Sequence, residues 1–353
     1  MKLSGRGYKT LGENMNAYRN NDMIYEIDRL YTIQDKLEPY KNGYCFCKNL
    51  SDTFMYYDNI ESDRYFEVAY YGEYKRYHNG MYVAQGIKIL KELEEDEVFE
   101  VLYKECMSKN NSSYYNEVGV TKLLNYKQCP YEVFDKLSNE EDEDARSALG
   151  NHIKTPLNIL VKLSDDEDDY VRANVGNNIN TPTSILTKLS KDRSNIVRGL
   201  VADNPSTPVD VLVELSKDVQ KHVRANVGKN PNTPTNTLTE LSKDKNNVVK
   251  QAVADNVNAP IDVLIELSKS KKMYVRGSVA GNLNTPKDIL MELSEDKNGI
   301  VKELVCSNPN TPIDILIKLS KDNNVIVKNA ILNNPNTPIN IRKSIEIITN
   351  SKK

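Results

Sequence analysis

The 353-residue sequence contains no tryptophan, three histidines and five cysteines. Each scarcity excludes something. His78, His152 and His222 share no spacing with Cys45, Cys47, Cys106, Cys129 and Cys306, so no zinc-ligand pattern is present and neither a metal nor another cofactor is expected. Few cysteines, odd in number, argue against a disulfide scaffold and suit a reducing compartment. No apolar run approaches the roughly 20 residues that cross a bilayer, so no membrane association is expected. The opening MKLSGRGYKTLGEN lacks the apolar stretch of a secretory leader, which makes a cytoplasmic location the expectation. A formal net charge of −3 gives no global pull toward nucleic acid.

Local scarcities divide the chain. Only Tyr170 and Tyr274, of 21 tyrosines, lie beyond Tyr131, and no phenylalanine lies beyond Phe134. Proline is the mirror image, with Pro39 alone in the first third and the other thirteen from Pro130 onward. Two packing chemistries follow: an aromatic core over residues 1–110 and a thin Leu, Ile and Val core over 111–353. The polar stretch SKNNSSYYNE, residues 108–117, is the expected boundary.

What is abundant is repetition. Prolines fall at 130, 156, 182, 208, 234, 260, 286, 312 and 338, a period of 26 without insertion or deletion. Thr precedes most of them, as at Thr155, Thr207 and Thr311, which predicts Thr as N-cap and Pro as first residue of a helix A. Leucines three apart, such as Leu212 and Leu215, give that helix one apolar stripe. Valines four apart, such as Val223 and Val227, mark a short helix B. Asn four places before each next proline, from Asn178 to Asn334, reads as a turn residue. Two short helices cannot bury their apolar faces alone, so about eight units must stack on one another. The fold class read from this pattern is mainly α: an α-solenoid of 26-residue two-helix repeats behind a small α+β domain.

The pattern N-T-P-x-x-x-L-x-x-L-S-x-D-x-x-x-x-V-R-x-x-V-x-x-N resembles the leucine-rich repeat variant, a relative of HEAT-like helical repeats, over about 220 residues. The resemblance implies units that coil into a right-handed superhelix. Some members of that family carry an iron–sulfur cysteine cluster, whereas Cys45 and Cys47 are the only close pair here.

A cation recurs at one phase of the repeat: Arg146, Arg172, Arg198, Arg224, Lys250, Arg276, Lys302 and Lys328. Eight cations in line suit a track for nucleic-acid phosphates. They equally suit a structural ladder, because acids recur six residues earlier at Asp166, Asp192, Asp218, Asp244, Asp296 and Asp322, where each acid can also cap helix B. Residues 127–186 carry 6 basic and 12 acidic side chains, whereas 187–353 carry 25 and 18, so charge along the repeats is polarised.

In the aromatic region, YCF at 44–46, RYFEVAYYGEY at 64–74 and MYVAQGIKIL at 81–90 predict strands, punctuated by Gly43, Gly72 and Gly80. Helices are expected after Ser51 and over about Lys88 to Met107. The run from Asn42 through Cys47, with Tyr56, Arg64, Gly72 and Ile87 to Ile89, resembles an uncharacterised domain at the front of phage and phage-derived repeat proteins. Gly43, Phe46, Ser51 and Tyr56 are in turn similar to the segment around the tyrosine of ADP-ribosyltransferases of the histidine-tyrosine-glutamate type, where that glycine admits NAD and the tyrosine stacks on nicotinamide. Gln85 stands where that resemblance expects a catalytic glutamate, and no histidine precedes Tyr44.

Without a complete catalytic set, the expected function is a non-enzymatic scaffold that holds a protein partner, with Tyr44 and Tyr56 as recognition candidates in the aromatic region. A nucleic-acid binder using the cation ladder and an ADP-ribosyltransferase-like effector are the alternatives.

Overall fold

A computed structural model describes residues 1–11, 16–17, 20–37, 42–56, 64–78, 80–107, 117–127 and 129–350. The chain divides into two compact units, Met1–Val175 and Gly176–Lys353. Among the described residues the fold is mainly helical, with nineteen α-helices, and a small sheet lies near the N-terminus. The expected boundary at 108–117 lies almost wholly outside the described residues.

The first unit opens with strands β1 (Leu3–Leu11), β2 (Asn16–Ala17), β3 (Asn20–Ile24), β4 (Leu30–Thr32), β5 (Tyr44–Cys47), β6 (Arg64–His78) and β7 (Met81–Glu92). β2 and β3 pair separately, and the others form an antiparallel sheet in the order β4-β7-β5-β1-β6. β6 also pairs with β7, which closes a ring of β7, β5, β1 and β6. Ring closure leaves few open edges on strands this long. Inside lie Leu11, Tyr25, Phe46, Phe66, Val68, Tyr70, Ala84, Ile87 and Ile89. Phe46 stacks on Tyr70 with ring centroids 4.2 Å apart, so the aromatic surplus of this region is core material.

Gly43, Gly72 and Gly80 are the three glycines with positive φ, at 94°, 75° and 81° among the described residues. Gly80 makes the turn between β6 and β7, and Gly72 sits where their register slips between Tyr71 and Tyr74. The three expected strands are present as β5, β6 and β7. β1 and β4 were not expected, because their mixed sequences alternate weakly and become strands only by pairing with longer neighbours. The helix expected from Lys88 begins at Glu95 (Glu95–Met107), since Lys88 pairs with Leu30 and prolongs β7. After Ser51 the chain makes a 3-10 turn, Ser51–Tyr56, rather than an α-helix, and the rest of that expected helix lies outside the described residues.

The repeats alternate a seven-residue helix A with a nine-residue helix B. In the second unit these run from Thr183–Leu189 and Asn195–Asp203 to Ile313–Leu319 and Val325–Asn333, followed by Ile339–Asn350. Seven residues make two helical turns, too short to persist alone in water. Burial supplies the stability: Leu212, Val223 and Val227 are wholly enclosed, and their equivalents in neighbouring repeats are enclosed likewise.

The expected Thr cap is not what starts helix A. Pro208 itself occupies the N-cap, with φ −59° and ψ 147°, and no side chain caps it. Thr207 is buried, and its hydroxyl donates backward to Val201 O at 2.5 Å, a bond repeated by Thr233 to Val227 and Thr311 to Val305. The threonine therefore fastens the end of one helix B to the start of the next helix A. The caps of helix B are also displaced from expectation: Ser194, Asn246, Asn298 and Asn324 cap it, while Asp218 accepts from Gln220 N in the turn before it.

Candidate functional site

Three periodic rows and one notch mark the helix B layer, and their geometry decides which of them can face a partner. In the cation row, Arg198 donates from Nε and Nη2 to the Asp218 carboxylate at 2.6 and 3.2 Å, and from Nη1 to Asp192 O and Arg193 O. Arg146 with Asp166, Arg224 with Asp244 and Arg276 with Asp296 repeat this bidentate geometry, and Lys302 reaches Asp322 at 2.9 Å. Each link joins a cation to the acid twenty residues on, in the next repeat. Burial alone would raise Asp218, but hydrogen bonds from Arg198 and Gln220 N outweigh it and hold the carboxyl below its ordinary range. Asp244 and Asp296 behave alike, and Arg198 is shifted upward chiefly by its hydrogen bond to Asp218.

Arg172 repeats the backbone part of this pattern, and two of the lysines have no acid at the matching phase. Arg172 donates Nη1 to Asp166 O and Glu167 O. Lys250 has Ser270 at the phase of the acid, and Lys328 has Ile348 there. Phosphate contact by the paired cations would require breaking a desolvated, bidentate ion pair.

The second row is buried asparagine. Asn230 donates its amide hydrogens to Ala202 O and Asn204 O at 2.8 and 2.9 Å, while its Oδ1 accepts from Asn232 N at 2.9 Å. Asn204, Asn256, Asn282, Asn308 and Asn334 make the same three bonds. The turn role read from sequence is thus half of the function; the amide ties each repeat to the one before. Leu332 O and Asn334 O, the carbonyls at the phase that asparagine amides reach in the preceding repeats, instead accept from the Arg342 guanidinium. At the near end His152 holds the asparagine phase. Its Nδ1 accepts from Lys154 N and its Nε2 meets Asn125 Oδ1 at 3.1 Å, an arrangement that requires the neutral ring. Burial, aided by Lys154, lowers the pKa of His152 accordingly.

The third row is exposed and apolar: Ile196, Val248, Tyr274, Ile300 and Ile326, all between 37% and 46% exposed. His222 interrupts it, and Tyr170 holds the same phase in the first unit. The backbone N–H groups of Ile196, Val248, Ile300 and Ile326 meet the helix B caps, while their apolar side chains stay exposed and recur every 26 residues. Sequence reading missed it because the second position of helix B mixes Ile, Val, Tyr and His, and only the burial pattern separates it from the core valine beside it.

The fourth feature is a notch of about 350 Å³ in the same face, lined by Gln251, Asp255, Tyr274, Ser278, Gly281 and Leu304 among others.

In the sheet region Tyr44 is half-buried on β5 opposite Ala84, with its ring 6.4 Å from that of Tyr31 and its pKa raised by burial and by Tyr25 and Tyr31. Because Tyr44 pairs with Ala84, the next residue, Gln85, projects from the opposite face. Gln85 there accepts from Glu73 N at 2.9 Å. Tyr44 and Gln85 therefore do not share a site. Tyr56 ends the 3-10 turn, and its side chain lies outside the described residues. Among the described residues all five cysteines are free, no group of three or more His, Cys, Asp or Glu is placed to hold a metal, and no helix is long and apolar enough to cross a membrane.

Residues 6–101 match a family described as a domain of unknown function, DUF7666. No curated protein matches the chain. Among solved structures, a leucine-rich repeat variant with a novel repetitive protein structural motif is 23% identical, with a TM-score of 0.45 over 66% of this chain and 92% of its own. The archaeal HEAT-like repeats protein from Thermococcus onnurineus NA1 is 16% identical, with a TM-score of 0.20 over 73% of this chain and 98% of its own. A designed armadillo repeat protein solved in complex with the peptide (KR)4 is 16% identical, with a TM-score of 0.22 over 66% and 96%.

Proposed function

We propose that this chain is a non-enzymatic scaffold, acting in the cytoplasm, whose helix B layer holds a protein partner, with the sheet region of residues 1–110 as a second recognition unit. The observation that carries the reading is the exposed apolar row of Ile196, Val248, Tyr274, Ile300 and Ile326. Exposed apolar surface arranged in a line is disfavoured on a protein that works alone, and such patches mark interaction surfaces. The cation row supports a protein rather than a nucleic acid as partner, since most of its charge is neutralised by aspartate inside the layer.

The test is capture of a specific partner from native-host lysate by wild type and by the double variant Val248→Glu/Ile300→Glu. These exposed positions leave the melting midpoint nearly unchanged, and loss of that partner on the variant supports the reading. Equal retention sinks it. Duplex DNA titrated across a salt series is the second arm. Submicromolar affinity near physiological salt, with a log–log slope of about −4 or steeper that shallows by about one unit in Arg198→Ala, would replace the reading with nucleic-acid binding.

A further inference from the structure

The notch on the helix B layer is bounded by three successive B helices. It opens at helix Met273–Gly281, which carries Gly277 and Gly281; Gln251 and Asp255 of helix Asn247–Asp255 form one wall, and Ile300 and Leu304 of helix Gly299–Ser307 the other. The two glycines have different explanations. A Cβ on Gly277 would come within 3.0 Å of Leu304 Cδ1, so close packing accounts for that glycine. A Cβ on Gly281 would meet nothing nearer than 4.0 Å, and its φ is not positive, so neither space nor backbone conformation demands glycine there. Glycine in a helix weakens it relative to alanine. Gly281 is exposed and leaves the mouth of the notch open.

The lining is graded. Met273, Tyr274, Ile300 and Leu304 give apolar walls, and the Asp255 carboxylate, hydrogen-bonded by Ser278, supplies the formal negative charge among the lining residues. Asp255 lies at the exposed rim, where desolvation pushes it up against the lowering influence of Ser278 and of the Lys229 charge, and a further cation seated beside it would lower it again. A long aliphatic stem ending in a positive charge complements this gradient, with the Tyr274 ring available to the cation as well.

We propose that the notch receives one lysine or arginine side chain of an extended peptide segment, its stem against Met273, Ile300 and Leu304 and its charged head at Asp255. The assignment rests on the reading of the helix B layer as a partner-binding face and names the chemistry that this part of the face selects.

The experiment titrates the full chain into fluorescein-labelled short peptides that alternate serine with arginine, with glutamate or with leucine, read by anisotropy. The arginine peptide binds and the other two do not. Asp255→Asn, which keeps shape and removes charge, and Gly281→Leu, which fills the notch, each weaken it by roughly tenfold or more. Asp203→Asn, at the phase of Asp255 two repeats earlier and not lining the notch, leaves it unchanged. Because Gly281 has open space beside it, Gly281→Leu keeps its helical signal and melting midpoint; should it fail to fold, Asp255→Asn decides alone. Undiminished arginine-peptide binding by a folded Gly281→Leu, or by Asp255→Asn, overturns the proposal, as does equal affinity for the glutamate peptide. A chain that binds no peptide but captures a partner lost on Val248→Glu/Ile300→Glu sinks the notch and leaves the scaffold reading standing; a partner held equally by that double variant sinks the scaffold reading.

Discussion

The sheet region and the repeats solve the problem of core formation in opposite ways. Phe66 on β6 is enclosed within a ring whose strands come from both ends of a stretch of 90 residues (Leu3–Glu92), so its surroundings exist only once the whole ring has closed. Leu212 is equally enclosed, but its helix meets the B helices Asn195–Asp203 and Lys221–Lys229, close by in sequence. Loop-closure entropy weighs on the first arrangement and hardly on the second. The lesson is that aromatic bulk goes where a single closed core must hold together at once, and thin aliphatic layers suffice where stability is summed between neighbours.

The largest test of this contrast is a matched truncation. Phe66→Ala should cost roughly 3–5 kcal/mol and release β1, β5, β6 and β7 together, whereas Leu212→Ala should cost roughly 2–5 kcal/mol and loosen only the adjoining repeats. Hydrogen exchange by mass spectrometry reads both. Uniform protection loss across the repeats in Leu212→Ala would remove the contrast.

Next in size are the buried ties between repeats. Asn256→Leu removes the side-chain donor to Gly228 O and Asn230 O and the acceptor of Asn258 N, and should cost about 3 kcal/mol. Arg342→Ala removes the donors that close the ladder and should fray the last repeats while leaving Val209–Leu215 protected. A chemical melt followed by circular dichroism measures the first, and exchange of residues 325–345 the second.

Arg198→Ala should cost about 2 kcal/mol, less than the loss of a fully buried partner, because the pair keeps some contact with water. An unchanged melting midpoint would mean that Arg198 serves a ligand and not the layer.

The smallest effects are in pH, and they separate two stretches within the repeats. His152 is held neutral, with its folded pKa below the ordinary value of about 6.5, so its contribution is present above that pH and fades as pH falls below it. Asp218, Asp244 and Asp296 are depressed, so their contribution is present above about pH 4 and fades only on further acidification. Exchange near residues 143–163 should therefore rise first and exchange near 209–319 later. Simultaneous loss in both stretches would contradict the assignment.

Much of the fold is legible in residues that repeat. Pro208 and its equivalents, Leu212 and Leu215, and Val223 and Val227 disclose two helices per 26 residues, because helical periodicity and proline geometry are local properties. Gly43, Gly72 and Gly80 likewise mark the turns and the bulge of the sheet. What Thr207 and Asn230 do was misread or half read. Both residue types have well-known local roles in caps and turns, and nothing nearby in sequence announces that their partners are carbonyls of a preceding helix B or of the repeat before. β1 escaped for the same reason, since its strand character comes from β5 and β6.

Sequence by itself determined the repeat length, the helix pair, the change from aromatic to aliphatic core and the phase of every cation and acid. Only tertiary structure decided that Arg198 answers Asp218 in the next repeat rather than an outside phosphate, that Ile196 and Val248 remain uncovered, and that Gly281 leaves a space beside Asp255. The physical reason is that periodicity fixes which side chains share a face, whereas hydrogen-bond partners, exposure and empty volume depend on what stacks against that face, and the stacking repeat lies 26 residues away.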